Sequence, residues 1–333
     1  MAEGKGVLIL GECADGKLAS VSTELLGIGK KLAGELGEEL VAVVLGDNVG
    51  DAPKGAVAFG ADKVYVIQSP LLKEYTTDPY AAAMAKLCGE IKPNILLMAQ
   101  NAIGRDLAPR LAFKMDTGLA TDCIDLAIDG STKLMKMTKP VYGGNAVAII
   151  VCENTKPQMA TVRPKSQEPL ERDDSRSGEI INYDAGLDAS QARQQFVERK
   201  MTEVEGVKLE DAEVVVCGGR GIGGPENFPQ LQELAKMLGG AMGATRPPCD
   251  SGWVPTTIQV GLTGKIVTPT LYIAIGISGA SQHLSGCSGS KNIVAINKDP
   301  EANIFKVAQY GVVGDYKKIL PPFVAKVKEL LAS

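Results

Sequence analysis

A chain of 333 residues, 45% hydrophobic and 22% charged, carries enough apolar surface for two cores and none of the signature of global disorder. A net charge of -4 and an aromatic content of 5% exclude the basic and stacking surfaces that nucleic acid requires. No apolar run approaches the roughly 18 residues that span a bilayer, which argues against membrane insertion.

The N-terminus runs directly into a short apolar segment, Val7–Leu10, and resembles neither a secretory signal nor a transit peptide. The seven cysteines are scattered, with no C-x-x-C pair, and read as reduced thiols rather than as metal or cluster ligands. The expected location is the cytoplasm.

Along the first hundred residues, strand-like and helix-like patterns alternate. Val7–Leu10, Leu40–Leu45, Lys63–Ile67 and Asn94–Ala99 are apolar runs of strand length. A helix is predicted from about Ser22, with Leu25, Gly29, Leu32 and Leu36 on one face. Another starts at Asp78-Pro79, read as a cap followed by Pro in the first turn, and a third covers Gly104–Met115. This alternation predicts right-handed crossovers and a parallel sheet. From Thr117 to Val162 the runs Ala146–Cys152 and Gln158–Val162, with Tyr142-Gly143-Gly144-Asn145 as a turn, predict hairpins added to the sheet. Arg163 to Arg176 reads as a polar surface excursion.

A domain boundary is expected near Gly206, giving an N-terminal α/β domain over 1–205 and a second over 206–333. The second has strands at Glu213–Cys217, Leu271–Gly276, Asn292–Asn297 and Gly311–Gly314. Helices are expected from about Asn227 to Leu238, after Ser278, and at the C-terminus. The fold class is therefore α/β, with two doubly wound domains.

The chemistry gathers in the second domain. Gly219, Gly221 and Gly224 satisfy G-x-G-x-x-G after a strand, a pattern that lets backbone approach a phosphate. The acid that a dinucleotide fold places about 20 residues later, to hold the ribose hydroxyls, is absent. Thr245-Arg246 stands there instead, which opens the alternative of an NADP-dependent dehydrogenase. A second strand-to-turn segment, Gly276-Ile277-Ser278-Gly279-Ala280-Ser281-Gln282-His283, holds the only histidine. Two such turns suit a pyrophosphate. Val260–Lys265 reads as a turn between β-rich runs, Asn297 and Asp315 end strands, and Asp299-Pro300 is explained by capping.

These segments, with the run Leu271–Ala280 and Asn297-Lys298-Asp299-Pro300-Glu301 in unbroken order, resemble the alpha subunits of electron-transfer flavoproteins, bacterial branch. Gly104–Ala112 and Thr117–Cys123 extend the resemblance into the first domain. It implies a one-electron carrier rather than a substrate-transforming enzyme. The C-terminal parallel-sheet domain would bind one FAD, and the first domain would contact a beta subunit in a heterodimer. The donor would be a flavin dehydrogenase such as an acyl-CoA dehydrogenase, the electrons passing to a downstream acceptor in fatty acid oxidation. A bifurcating system, in which the beta subunit holds a second FAD rather than AMP, is a variant of the same reading. A nucleotide-binding scaffold without redox chemistry is a third alternative.

Carried over by motif, the resemblance places Arg220 at the diphosphate or adenosine end and Thr245 and Arg246 near the isoalloxazine. Val260, Gly261, Leu262 and Thr263 would follow the flavin edge, Thr263 donating toward N5. Ser278, Gly279, Ala280, Ser281, Gln282 and His283 would hold the pyrophosphate and bring the imidazole to the N1/C2 edge. Asn297, Asp315 and Tyr316 would hold the adenosine portion. A fixed guanidinium at Arg246 favours the reduced ring, and His283 would do so more weakly and with pH dependence. Leu262 stands where the family usually has Gln, and Thr245 where it has Ser. Cys249, close to this cluster, is either redox-sensitive or a buried inert thiol. Arg105 and Arg110 are either subunit contacts or solvated arginines on an amphipathic helix.

Overall fold

The structure is a computed structural model and describes residues 4–142, 146–194, 196–198 and 207–332. Met1–Val141 with Val147–Arg199 form one compact unit, and Lys200–Ser333 form the body of the other. The expected boundary at Gly206 and the turn residues Gly143–Asn145 lie outside the described residues.

The first unit runs β1 (Val7–Gly11), α1 (Ser20–Leu36), β2 (Leu40–Gly46), α2 (Ala52–Ala58), β3 (Lys63–Gln68), α3 (Thr77–Ile91), β4 (Ile95–Ala99) and α4 (Ala102–Lys114). β5 (Leu119–Cys123), β6 (Asp125–Ile128), β7 (Met135–Val141), β8 (Ala146–Ile150), β9 (Gln158–Val162) and β10 (Glu179–Asn182) follow. Seven strands make one parallel sheet in the order β10-β3-β2-β1-β4-β9-β5. Its central strands are buried on both faces. Val7 and Ile9 pack into one core, Leu8 and Leu10 into the other, which is why β1 reads as a continuous apolar run rather than an alternating one. α1 ends at Gly37, whose φ of 69° is the left-handed cap conformation that glycine adopts without strain. α4 opens on Asn101, whose side chain accepts from the Gly104 amide at 3.1 Å.

Two expectations are corrected here. The run Gln158–Val162 is no added hairpin: it is β9, an interior parallel strand between β4 and β5, buried at every residue. Only β6, β7 and β8 form a separate three-stranded sheet, with β6 and β7 antiparallel. Nor does Asp78 cap α3. Thr76 holds the cap position, and Asp78 sits inside the first turn, buried, where it takes ion pairs from Arg110 and from Arg193 at 3.0 Å. Those two cations hold its carboxyl below the ordinary range. Arg110 is thereby tied to the fold, while Arg105 is exposed.

The second unit runs β11 (Val214–Gly218), α5 (Phe228–Met237), β12 (Ala241–Ala244), α6 (Arg246–Asp250), β13 (Leu271–Ile275), α7 (Ser281–Leu284), β14 (Asn292–Asn297), β15 (Tyr310–Val313) and α8 (Tyr316–Ala332). The five strands are parallel, in the order β12-β11-β13-β14-β15. Cores lie on both faces: Cys217 and Tyr272 contribute to one, Val216 and Ile273 to the other. The chain leaves β11 toward one side of the sheet and, after β12, returns to the other side. The direction of winding therefore reverses between β11 and β13, and a crevice opens at their carboxyl ends.

Among the described residues no helix is long and apolar enough to cross a membrane.

Candidate functional site

At that reversal the two glycine turns meet. Gly219 donates to the Ile275 carbonyl at 2.9 Å, and Gly221 donates to the Gly276 carbonyl at 3.0 Å. A side chain on either would collide with main chain: a Cβ on Gly219 would lie 2.2 Å from the Gly276 oxygen, and one on Gly221 2.8 Å from it. Gly276 itself has φ +64°, and a Cβ on it would lie 2.8 Å from Gly221 backbone. The glycines are needed for turn-against-turn packing, which leaves the space above them open.

That space is a cleft of about 730 Å³, continuous in its lining with a smaller one of about 310 Å³ through Gly221, Gly276, Asn297 and Lys298. Arg220, Thr245, Arg246, Val260, Gly261, Leu262, Thr263, Ser278, Ala280, Gln282, His283 and Asn297 line the larger cleft. Asp315 and Tyr316 line the smaller. Gly279 and Ser281 lie in the same loop but not on the lining. The sequence expectations thus converge on one region, although their positions are drawn from six separate segments.

The surroundings of each group differ in ways that bear on chemistry. Arg246 begins α6 and is exposed, its Nε 3.1 Å from Asp250 in an i, i+4 pair. Such an exposed pair is weak and leaves the guanidinium available to the cleft it lines. Thr245 is buried and makes no capping bond. The Thr263 hydroxyl accepts from Gln259 Nε2 at 3.0 Å, so its own O–H remains to donate elsewhere. Asn297 donates to the Ile277 carbonyl at 2.7 Å and accepts from the Asp299 amide at 3.0 Å, tying the end of β14 to the loop after β13. Asp315 accepts from the Lys317 amide at 3.0 Å, and the buried Tyr316 hydroxyl donates to Ile222 at 2.7 Å, bracing the first glycine turn.

His283 is buried, with Nδ1 3.0 Å from the Val260 carbonyl and Nε2 2.9 Å from the Tyr272 hydroxyl. Burial brings its pKa down to about 4, so the imidazole is uncharged at neutral pH. This corrects the expectation of a pH-dependent positive charge here.

The helix expected from about Asn227 stands as α5, with two short 3-10 turns, Arg220–Ile222 and Pro225–Asn227, between it and the end of β11. Two further expectations are refined. The helix after Ser278 is the single turn α7. Val260–Lys265 is not flanked by sheet strands; isolated bridges, Ala244 to Gln259 and Val260 to Lys265, and a bond from the Leu262 amide to the Gln282 carbonyl at 2.7 Å fix it. Cys249 is buried against the Pro255 carbonyl at 3.7 Å, and desolvation pushes its thiol up rather than down. It is the inert thiol of the two readings, and all seven cysteines are free.

Residues that the motifs did not single out also line the cleft. Gln259 positions Thr263, Pro247 and Ile277 add apolar surface, and Lys298 adds a cation. Lys298 sat in view beside Asn297, but a lysine after a strand carries no residue-type signal of its own.

The residues fit a dinucleotide. Main chain without side chains at the switch point suits a pyrophosphate, Arg220 and Arg246 supply fixed charge, and Val260, Leu262 and Ile277 give an apolar wall. Comparison with known proteins agrees. Residues 7–187 match the electron transfer flavoprotein domain family. Residues 208–288 match the electron transfer flavoprotein FAD-binding domain family, and the cofactor of this chain is accordingly FAD. That match also leaves the NADP-dependent dehydrogenase without support.

Among curated relatives, the electron transfer flavoprotein subunit alpha of Thermoanaerobacterium thermosaccharolyticum is 47% identical, covering 99% of this chain and 100% of its own length. The subunit of the same name from Megasphaera elsdenii is 45% identical, covering 99% and 98%. Protein FixB of Rhizobium meliloti is 41% identical, covering 95% and 91%. With both of its units matched and relatives aligned over nearly its whole length, the protein belongs to the electron transfer flavoprotein alpha-subunit family.

Proposed function

We propose that the chain, paired with a beta subunit, accepts single electrons from a flavin dehydrogenase such as an acyl-CoA dehydrogenase and delivers them to a downstream acceptor in the cytoplasm. The observation that carries the reading is the open cleft at the reversal between β11 and β13, floored by Gly219, Gly221 and Gly276. FAD, when bound, supplies the electron-accepting and electron-donating chemistry.

The protein's part is to hold and bias the cofactor. The turns at Gly219–Gly221 and Ser278–Ser281 bring main chain to the diphosphate, and Arg220 offsets its charge. Asn297, Asp315 and Tyr316 shape the smaller cleft for the adenosine portion. Arg246 keeps a permanent positive charge by the isoalloxazine and so favours the reduced ring. Thr263, whose hydroxyl oxygen accepts from Gln259, would donate its own proton toward N5. Leu262 stands on the cleft lining where the family usually has Gln; a contact made through its backbone would leave binding intact, and one made by the Gln side chain would shift the flavin potential.

The test is to co-purify the chain with its beta subunit and follow stepwise anaerobic reduction with a purified acyl-CoA dehydrogenase and its substrate. A yellow complex holding FAD in this chain and reduced by that dehydrogenase supports the reading. A colourless complex, or one reduced only by a nicotinamide donor, contradicts it.

A further inference from the structure

A groove of about 830 Å³ lies in the first unit, and its lining shares no residue with the cofactor cleft. It sits where the chain comes off its polar excursion, over residues 172–178, and enters β10. Leu18, Val57, Phe59 and Ile180 give it apolar surface, and Lys17, Lys54, Arg172 and Arg176 give it cations against two acids, Asp51 and Asp174. The pairs of Lys54 with Asp51 at 3.1 Å and of Arg172 with Asp174 at 2.7 Å are exposed on both sides and therefore weak. Arg176 pairs with Asp62 at 2.5 Å, and Asp62 also takes Lys30 at 2.8 Å. Lys17 has no ion-pair partner among the described residues. Five cations (Lys17, Lys30, Lys54, Arg172, Arg176) thus meet three acids (Asp51, Asp62, Asp174), an excess of two positive charges in a chain whose net charge is -4.

Beside the groove, β10 is the open edge of the seven-stranded sheet. The amides of Glu179 and Tyr183 donate inward, to Asp62 at 3.0 Å and to Val66 at 2.8 Å. A parallel ladder uses alternate residues of a strand, so the N–H and C=O of Ile180 and Asn182 point outward, away from β3. Ile180 is in register with Val64, which belongs to the core that α2 packs on. Its side chain therefore stands on the groove's face of the sheet, and it is 45% exposed. Glu179, in register with Lys63 and 3.3 Å from its ammonium, stands on the opposite face.

We propose that this groove and the open edge of β10 together dock an extended segment of a partner protein, which adds as a strand beside β10 and carries acidic side chains among apolar ones. Outward main-chain groups recognise main chain, which a small anion lacks. A second copy of the chain, pairing edge to edge about a twofold axis, brings two cation-rich grooves together, and like charge opposes that arrangement. Alternate side chains of the added strand fall on the groove's face, the apolar ones against Leu18, Val57 and Ile180 and the carboxylates against Lys17 and Lys54.

The test uses the FAD-loaded heterodimer and a short fluorescein-labelled peptide whose alternate residues read Val, Asp, Val, Asp, with Thr between them. Binding followed by anisotropy at low salt is expected to half-saturate below about 100 μM. The same peptide methylated on alternate amide nitrogens cannot pair with the edge, and a version with Lys in place of Asp meets the wrong charge. Each is expected to bind at least tenfold more weakly. Lys17→Glu with Lys54→Glu changes two exposed side chains and leaves the core untouched. It is expected to weaken the Asp peptide at least tenfold and to reverse the preference between the Asp and Lys peptides. Hydrogen–deuterium exchange with the Asp peptide bound is expected to slow over residues 177–182 and 52–59. Absence of binding, equal affinity for the methylated peptide, or unchanged affinity in the double variant overturns the proposal, as does protection confined to other segments. Self-association of the heterodimer that the double variant abolishes assigns the surface to a second copy and overturns the choice of occupant.

Discussion

Both units of the chain carry a parallel sheet with a winding reversal beside its first strand, yet the crevices at those two reversals are filled in opposite ways. In the first unit the crevice at the carboxyl ends of β1 and β4 is closed by its own side chains. Glu12 follows β1, and both of its carboxylate oxygens accept from Asn101 Nδ2 at 2.8 Å, while the Glu12 amide donates to Ser22 at 2.8 Å. Burial raises the Glu12 pKa, so a carboxyl group is held there at some cost. In the second unit the same topological position holds Gly219, Gly221 and Gly276, and a cleft of about 730 Å³ stands open. The reversal nominates a ligand site; the side chains next to it decide whether one exists.

The sharpest way to break this contrast is to give the second crevice a side chain. Gly276→Ala puts a Cβ 2.8 Å from Gly221 backbone at a φ of +64°, where nothing flexible can move aside. A residue forced into such a conformation costs on the order of 1–3 kcal/mol before the clash is added. Flavin content per heterodimer, read by absorbance after gel filtration, should fall at least tenfold, with a lowered melting temperature.

A smaller effect comes from protons. The folded pKa of His283, about 4, lies below its ordinary value of 6.5. Below pH 6.5 the unfolded chain therefore gains a proton that the folded chain does not. The contribution is whole above that pH and is lost as pH falls from 6.5 toward 4, on the order of 3 kcal/mol. Urea unfolding at pH 7 and pH 4.5 should show this loss in wild type and a weaker dependence in His283→Asn.

The first crevice can be opened instead. Glu12→Ala with Asn101→Ala removes the clasp and the cap of α4, and should destabilise by roughly 1–3 kcal/mol. Flavin stoichiometry should stay unchanged, because the match to the FAD-binding domain family lies in the second unit. A second bound dinucleotide would show that the clasp, and not the floor, separates the units.

Least in stability, though not in redox behaviour, is Arg246→Ala. The pair with Asp250 is exposed on both sides, so unfolding free energy should change by less than about 1 kcal/mol. The midpoint potentials of the bound flavin should nevertheless fall, measured by anaerobic dye titration. Unchanged potentials would remove the guanidinium from the tuning of the flavin.

The sequence made the glycine turns legible because close backbone approach excludes every other residue type, and that exclusion shows in one dimension. The apolar runs of both sheets were equally visible, since burial on two faces leaves no polar position. Partners were not. Gln158–Val162 has the same composition whether it ends a hairpin or fills the sheet between β4 and β5, and β10 is four residues, none of them buried, with no periodicity to find. Asp78 looked like a cap because the arginines that claim it stand 32 and 115 residues away. His283 was found by its loop, but its neutral state depends on its burial, which no motif encodes.

Hydrogen–deuterium exchange of the heterodimer with and without FAD tests most directly which crevice holds the cofactor. Slowed exchange on loading at Gly219–Gly223, Gln259–Thr263 and Gly276–His283, with Gly11–Leu18 and Gln100–Gly104 unchanged, is the predicted result. Protection confined to the segments around Glu12 and Asn101 would contradict the account.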